Sequence, residues 1–255
     1  MYYAMPEIEG ELEGFQDQAS IGLVFLKMIL RKTILWRSSV RNIPKIMKRV
    51  HEGMESRLNL AHKIGQGISP QQFMDHMQIR SMELSNIPNT KDLFFSVYDN
   101  FAWTHEDKKA FYTALNNRSD LHCLILCTDW CPDVIWNVPI LFRVMEQCHI
   151  STEVLLMEEH METMDLFLTD GGRAQPIAVF LNGSGDVLGR WGARPAYIQA
   201  VMERFKKNNP NKQEPDYKEK LNQIYREIGE IYHTGNEYQG VILHELKDLF
   251  TTFPS

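Results

Sequence analysis

The chain has few cysteines and no long uncharged apolar segment, and these two absences exclude several classes of protein. Four cysteines in 255 residues, at positions 123, 127, 131 and 148, are too few for a disulfide framework, so we expect free thiols in a reducing compartment. The first 14 residues are acidic and lack the basic start of a secretory signal. The apolar stretch 21–35 carries three basic residues and is shorter than the roughly 20 residues of a membrane span. We therefore expect a cytoplasmic protein.

An excess of basic charge, metal-ligand spacing and a phosphate-binding loop are also missing. The net charge is −6, so nucleic acid is not an expected partner. The nine histidines show no spacing relative to the cysteines that is typical of a metal site, so no metal is expected. The glycine-containing segment 182–186 lies between two predicted strands, whereas a phosphate-binding loop lies between a strand and a helix. We expect no cofactor.

The composition changes along the chain and divides it into three parts. Residues 1–54 form a basic extension, with eight Lys and Arg and no Asp or Glu between positions 18 and 50. Apolar residues recur there at helical spacing. Three interpretations are open: a helix on an anionic membrane surface, an ordinary helix packed on the main domain, or a segment that is not native. Residues 55–208 form the main domain, and residues 209–255 form a helical C-terminal extension that begins with a polar, proline-flanked linker.

Hydrophobic periodicity and turn residues predict the order β-α-β-α-β-β-α in the main domain. The predicted strands are 121–127, 152–157, 176–181 and 187–191, and the predicted helices are 132–148, 158–169 and 195–207. Two more helices are predicted before them, one over 71–82 capped by Ser69 and one capped by Thr104. A helical connection makes the first two strands parallel, and a tight turn makes the last two antiparallel. The predicted fold is α/β, a mixed four-stranded sheet with helices on both faces.

The segment Trp130-Cys131-Pro132-Asp133 joins the first predicted strand to the following helix. A cysteine at the N-terminus of a helix faces unpaired N–H groups and the positive end of the helix dipole, and both favour the thiolate. We therefore expect the pKa of Cys131 to lie below the usual value of about 8.5. The thiolate is the nucleophile in disulfide exchange, so Cys131 is the predicted catalytic residue.

The same segment resembles the active site of thioredoxins. The features follow one another in the thioredoxin order: a buried strand, then Trp130-Cys131-Pro132, then a helix containing Pro139, and then Gln175-Pro176 at the start of the third strand. From about residue 55 to the C-terminus the chain is similar to a thioredoxin-like family common in Bacillus-type bacteria. The resemblance implies the thioredoxin fold and a cis proline at 176, with a substrate peptide pairing with the backbone at Gln175. It also implies that Trp130, Pro132 and Trp191 contact the substrate.

The chain departs from thioredoxins at the second active-site cysteine. Thioredoxins carry that cysteine three residues after the first, where this chain has Val134. Cys127 is the other possible resolving thiol, but four extended residues span about 13 Å and a disulfide needs Cα atoms within roughly 7 Å. Cys127 is therefore either a resolving thiol brought close by a tight turn or a buried core residue.

Two functions remain open for a single active-site cysteine. In the first, Cys131 forms a mixed disulfide with a protein or a low-molecular-weight thiol, and a second thiol from solution releases it, as in monothiol glutaredoxins. In the second, the chain is a redox-inactive thioredoxin-fold module that binds a protein partner in the same groove.

Asp129 and Asp133 flank the thiol and either move protons there or stabilise the turn and the helix start. Arg194 either binds an anionic group near the site or is solvated.

Overall fold

A mixed four-stranded sheet forms the centre of the computed structural model, which describes residues 58–115 and 118–254. The strands are β1 (His122–Cys127), β2 (Ser151–Leu156), β3 (Ile177–Leu181) and β4 (Val187–Gly192). Their order in the sheet is β2-β1-β3-β4. β1 and β2 are parallel, and β3 is antiparallel to its neighbours β1 and β4. The predicted sheet is confirmed.

Eight α-helices occur in the described residues. They are α1 (Pro70–His76), α2 (Thr90–Asn100), α3 (His105–Leu115), α4 (Pro132–Gln147), α5 (Met161–Met164), α6 (Ala196–Asn208), α7 (Tyr217–His233) and α8 (Glu237–Thr251). Local sequence explains their starts. Ser69 and Gln72 form a reciprocal capping box before α1, and Asn89 accepts a hydrogen bond from the Asp92 N–H at the start of α2.

Alternate residues of the central strands point into two separate hydrophobic clusters. Cys123, Ile125 and Cys127 of β1 belong to the larger cluster, which includes buried residues of α2, α3, α4, α6, α7 and α8. Leu124 and Leu126 belong to the smaller cluster, which includes Met164 of α5. Because both faces are covered, β1 is apolar along nearly its whole length instead of alternating with polar residues. The expectation of helices on both faces of the sheet is confirmed.

Two predicted helices are shorter in the structure. α1 ends at His76, whereas the sequence pattern extended it to Met82. The backbone beyond it bonds elsewhere: Gln78 N–H donates to the Asp129 carboxylate, and Arg80 N–H donates to the Thr90 hydroxyl. The predicted helix 158–169 is reduced to α5 and a 3₁₀ turn at Asp165–Phe167. After α1, partners distant in sequence therefore replace the helical hydrogen bonds.

The C-terminal helices are part of the main core. Ile242, Leu246 and Phe250 of α8 and Tyr232 of α7 are buried in the larger cluster. All described residues belong to one compact unit, Leu58–Ser255. The basic extension 1–54, with its predicted helix and its possible membrane contact, lies outside the described residues. Among residues 58–115 and 118–254 no helix is long and apolar enough to cross a membrane.

Gly192 at the end of β4 occupies a position that only glycine fits. Its φ is +135°, and a Cβ there would lie 2.1 Å from the Pro176 carbonyl oxygen. We predict that Gly192→Ala lowers the free energy of unfolding by about 3 kcal/mol, because either the backbone at the start of β3 must move or β4 must separate from β3. Urea denaturation measures the change.

Gly240 provides the matched control. It lies inside α8, and a Cβ there would meet nothing within 4 Å. Gly240→Ala should raise the free energy of unfolding by up to about 1 kcal/mol, since alanine is the better helix former. Equal effects of the two substitutions would contradict the steric argument.

Candidate functional site

The half-buried thiol of Cys131 lies where three segments meet. Cys131 is the N-cap residue of α4, and Pro132 occupies the first helical position. The carbonyl of Cys131 accepts the first helical hydrogen bonds, from Val134 N–H at 3.0 Å and Ile135 N–H at 3.2 Å. The Sγ atom lies 3.8 Å from the carbonyl oxygen of Gln175 and donates to it. The end of β1, the start of α4 and the segment before β3 therefore converge on the sulfur.

Gln175 is held firmly beside the sulfur. It is buried, and its Nε2 donates to the buried hydroxyl of Thr128 at 3.1 Å. Thr128 directly follows β1, so this bond joins the turn before Cys131 to the segment before β3. The Gln175–Pro176 peptide bond is cis.

A buried ion pair lies next to the thiol. Arg194 donates through Nε to Asp133 Oδ1 at 2.8 Å and through Nη2 to Oδ2 at 2.7 Å. The two side chains are 9% and 7% exposed. Tyr232 of α7 donates to Asp133 Oδ1 at 3.2 Å, and Asn137 Nδ2 donates to the Tyr232 oxygen at 2.8 Å. These four side chains form one polar network that joins α4, the loop after β4 and α7.

The environment raises the pKa of the Cys131 thiol to about 12. Burial is the largest cause, and the negative charge of Asp133 adds to it. The backbone N–H groups of the first helical turn and the Arg194 guanidinium lower this pKa by a smaller amount. The expectation of a lowered pKa was therefore wrong. It considered the helix N-terminus alone, and the sequence does not reveal that the thiol loses water and faces a buried carboxylate.

Burial also raises the pKa of Asp133 itself, while the charge and hydrogen bonds of Arg194 and the hydrogen bond from Tyr232 oppose that rise. Arg194 has a raised pKa: its own burial acts to lower it, but the Asp133 carboxylate outweighs the burial. Arg194 is therefore a buried, charged partner of Asp133 and not the solvated residue that its position before a helix suggested.

Asp129 has partners away from the sulfur. Its Oδ2 accepts a hydrogen bond from Gln78 N–H at 2.8 Å and lies 2.6 Å from Nη1 of Arg80. Asp129 thereby ties the segment after α1 to the turn before Cys131. A catalytic role for Asp129 stays a prediction.

The two predicted tryptophans have different environments. Trp130 is 47% exposed, and its Nε1 donates to Glu158 at 2.6 Å. Trp191 is buried, and its Nε1 donates to Glu245 of α8 at 2.7 Å. Glu245 also accepts the Ala196 N–H, so it joins α8 to the start of α6. Of these two residues, Trp130 lines the groove that lies beside the thiol and Trp191 does not.

Cys127 is completely buried at the end of β1. Burial raises its pKa far above the ordinary value, and the nearby Cys131, Glu158 and Asp129 add to the effect. All four cysteines are free thiols. A resolving role for Cys127 stays a prediction, and its burial makes the thiolate that such a role needs costly to form.

A groove of about 740 Å³ lies beside Cys131. Its lining residues are 82–85, 130–133, Trp136, Met157, Thr169, 172–175, Arg194, Met202 and Lys206 of α6, and Tyr225, Ile228, Gly229 and Tyr232 of α7. The α7 residues were not foreseen. The sequence predicts helices in the C-terminal extension, but the apolar stripe of such a helix does not say which surface it covers. Within the described ranges no cluster of three or more His, Cys, Asp or Glu could hold a metal ion.

The charges beside Cys131 make a prediction about its titration. In a chain whose other three cysteines are replaced, Asp133→Asn should lower the pH midpoint of Cys131 alkylation by about one unit, because a negative charge is removed. Arg194→Gln should raise the midpoint by a similar amount, because the favourable positive charge is lost.

Asp129→Asn is the matched control, since its carboxylate pairs with Arg80, and it should leave the midpoint unchanged. Each change in the buried pair should also lower the free energy of unfolding by about 3 kcal/mol, so folding is checked by circular dichroism. Equal midpoints for Asp133→Asn and Arg194→Gln would show that the pair does not act on the sulfur.

A family of known proteins matches the part of the chain that contains the sheet and the site. The family described as Thioredoxin matches residues 68–207, which is more than half of the chain. The match includes the whole sheet and the Cys131 segment, and it ends before α7 and α8. No curated protein matches the chain.

Two solved structures share only a distant likeness. An HIV epitope scaffold is 17% identical, with 69% of this chain and 96% of that chain covered and a TM-score of 0.41. A protein of unknown function from Pseudomonas aeruginosa is 16% identical, with the same shares covered and a TM-score of 0.39. On the match over residues 68–207, the chain belongs to the thioredoxin family.

Proposed function

We propose that this protein carries out thiol–disulfide exchange with Cys131 as its single nucleophile. The observation that carries the proposal is the position of the thiol: it caps α4, faces the Gln175 carbonyl and lines the large groove. A thiol there can reach a disulfide that enters the groove. Membership of the thioredoxin family supports a redox-related role for this position.

The proposed reaction proceeds through a mixed disulfide. Cys131 sulfur attacks one sulfur of a bound disulfide, the S–S bond breaks, and the other sulfur leaves and takes up a proton. A second thiol from solution then attacks the mixed disulfide, which restores the Cys131 thiol and carries away the bound group as a new disulfide. No second protein thiol is needed, which fits Val134 at the position where thioredoxins have a cysteine.

The raised pKa requires a group that accepts the thiol proton. We assign this role to Asp133, whose carboxylate lies in the same buried environment and whose own pKa is raised. The transfer leaves a single negative charge in the buried site, on sulfur instead of on carboxylate, and the raised pKa makes Asp133 a better proton acceptor than an exposed aspartate. Trp130, Pro132 and Pro176 then shape the space around the sulfur.

The raised pKa also favours a second candidate function. A thiol that is protonated at neutral pH suits a redox-inactive module that binds a protein partner in the groove without exchange. The two candidates differ in one observable property, the formation of a covalent adduct at Cys131. In either case a cytoplasmic location is proposed from the four free cysteines.

The stoichiometry of adduct formation tests the proposal. The full chain is treated with excess glutathione disulfide at pH 9, and the products are analysed by intact mass spectrometry. We expect one glutathione adduct, on Cys131, that persists after the excess reagent is removed. Cys131→Ser should abolish it, whereas Cys127→Ala should leave it unchanged. The control Cys148→Ser removes the other half-buried thiol and should also have no effect.

Two other results would change the assignment. The adduct could be lost and replaced by a species two mass units lighter than the reduced chain, which is an internal disulfide. If this species forms only when Cys127 is present, Cys127 is a resolving thiol. Failure of Cys131 to form any adduct in the folded chain would favour the binding module.

A further inference from the structure

The groove beside Cys131 is enclosed by a helix that lies outside the matched family segment, and this points to the kind of disulfide it accepts. We propose that the substrate is a small, anionic disulfide of a low-molecular-weight thiol and not the disulfide of a folded protein. This inference rests on the proposed exchange function. It is carried by the wall that α7 forms, by the volume of the groove and by the charges that line it.

One side of the groove is formed by α7 together with the turn at Glu83–Ser85, and the two pack directly on each other. A Cβ on Gly229 would lie 3.0 Å from the Ser85 Cα atom, so the two backbones are in close contact. His233 Nε2 lies 3.1 Å from the Ser85 carbonyl oxygen. In the same turn of α7, the Tyr232 hydroxyl donates to the Asp133 carboxylate. The helix is thus fixed both to the turn and to the thiol network.

This wall changes what can reach the segment before β3. The residues from Gly172 to Gln175 line the same groove as Tyr225, Ile228 and Tyr232 of α7. The backbone edge with which an extended peptide would pair therefore lies inside a groove instead of on an open surface. A loop of a folded protein would have to fit beside α7 to reach this edge, whereas a small molecule needs only the space of the groove itself. The volume of about 740 Å³ lies within the range of small-molecule sites, roughly 300–1,000 Å³.

The charges of the lining favour a negative ligand. The charges of Asp133 and Arg194 neutralise each other. The other charged residues of the lining are the cations Arg173 and Lys206 and the anion Glu83. Lys206 lies 3.3 Å from Asp170, and Arg173 lies 2.6 Å from Asp165, but neither aspartate lines the groove. Arg173 also donates through Nη2 to Asp165 Oδ2 at 2.8 Å, so that pair is bidentate. The Lys206 pair is a single exposed contact worth about 0–1 kcal/mol, so Lys206 is the cation for which a ligand carboxylate can compete. Aromatic and aliphatic side chains make up much of the remaining lining.

The test compares four disulfides on the full chain with Cys131 as its only thiol. Glutathione disulfide is small and anionic, bis(2-hydroxyethyl) disulfide is small and neutral, cystamine is small and cationic, and insulin is a protein disulfide. The second-order rate constant of mixed-disulfide formation is measured for each at pH 9 and low ionic strength. We expect glutathione disulfide to react fastest, cystamine to be the slowest of the three small reagents, and insulin to react at least about tenfold more slowly than glutathione disulfide.

Two neighbouring lysines provide matched variants. Lys206 lines the groove, whereas Lys207 is exposed and does not, and both lie in the last turn of α6. Lys206→Met should lower the ratio of the glutathione-disulfide rate to the neutral-disulfide rate by about threefold. Lys207→Met removes the same charge from the same turn and should leave that ratio unchanged.

The outcomes separate this inference from the proposed function. If insulin reacts as fast as glutathione disulfide, the small-substrate assignment is overturned while exchange at Cys131 stands. If the two lysine variants change the rate ratio equally, or neither changes it, the anionic assignment is overturned. If no disulfide forms an adduct with Cys131 in the folded chain, the proposed exchange function itself fails.

Discussion

The ion pair between Asp133 and Arg194 is the interaction on which the rest of the site depends. Two opposite charges are removed from water here. Their bidentate contact, the bond from Tyr232 to Asp133 and the bond from Arg194 to Gln199 offset the cost of burial. The pair sets the electrostatic environment of the sulfur because its two members act on the thiol pKa in opposite directions. It also fixes three separate parts of the chain against one another, so the shape of the groove depends on it.

Sequence patterns predicted the sheet well because the information needed was local. β1 is apolar throughout since both faces are covered, and the turn at 182–186 specifies an antiparallel hairpin without reference to distant residues. The Cys131 segment could be placed at a helix start for the same reason. Ser69, Pro70 and Pro132 mark helix starts through their own backbone chemistry, and the structure has helices beginning at Pro70 and Pro132.

The parts that sequence reasoning missed all depend on partners far away in the chain. The partner of Asp133 is 61 residues later, and nothing near Arg194 reveals that it is buried. Asp129 and Asp133 look equivalent beside Cys131, yet Asp129 pairs with Arg80 and only Asp133 joins the thiol network. The pKa of Cys131 could not be foreseen either, because desolvation is a property of the packed core and not of a helix terminus.

The hydrogen bond between Tyr232 and Asp133 joins residues that are 99 positions apart. During synthesis Cys131 therefore leaves the ribosome long before the helix that encloses it, and the sheet can form around a thiol whose groove still lacks one wall. The matched family segment is already complete before α7 is synthesised, because that segment ends at residue 207. The groove is complete only after α7 has packed against the site, so a helix outside the matched segment forms part of the surroundings of the sulfur.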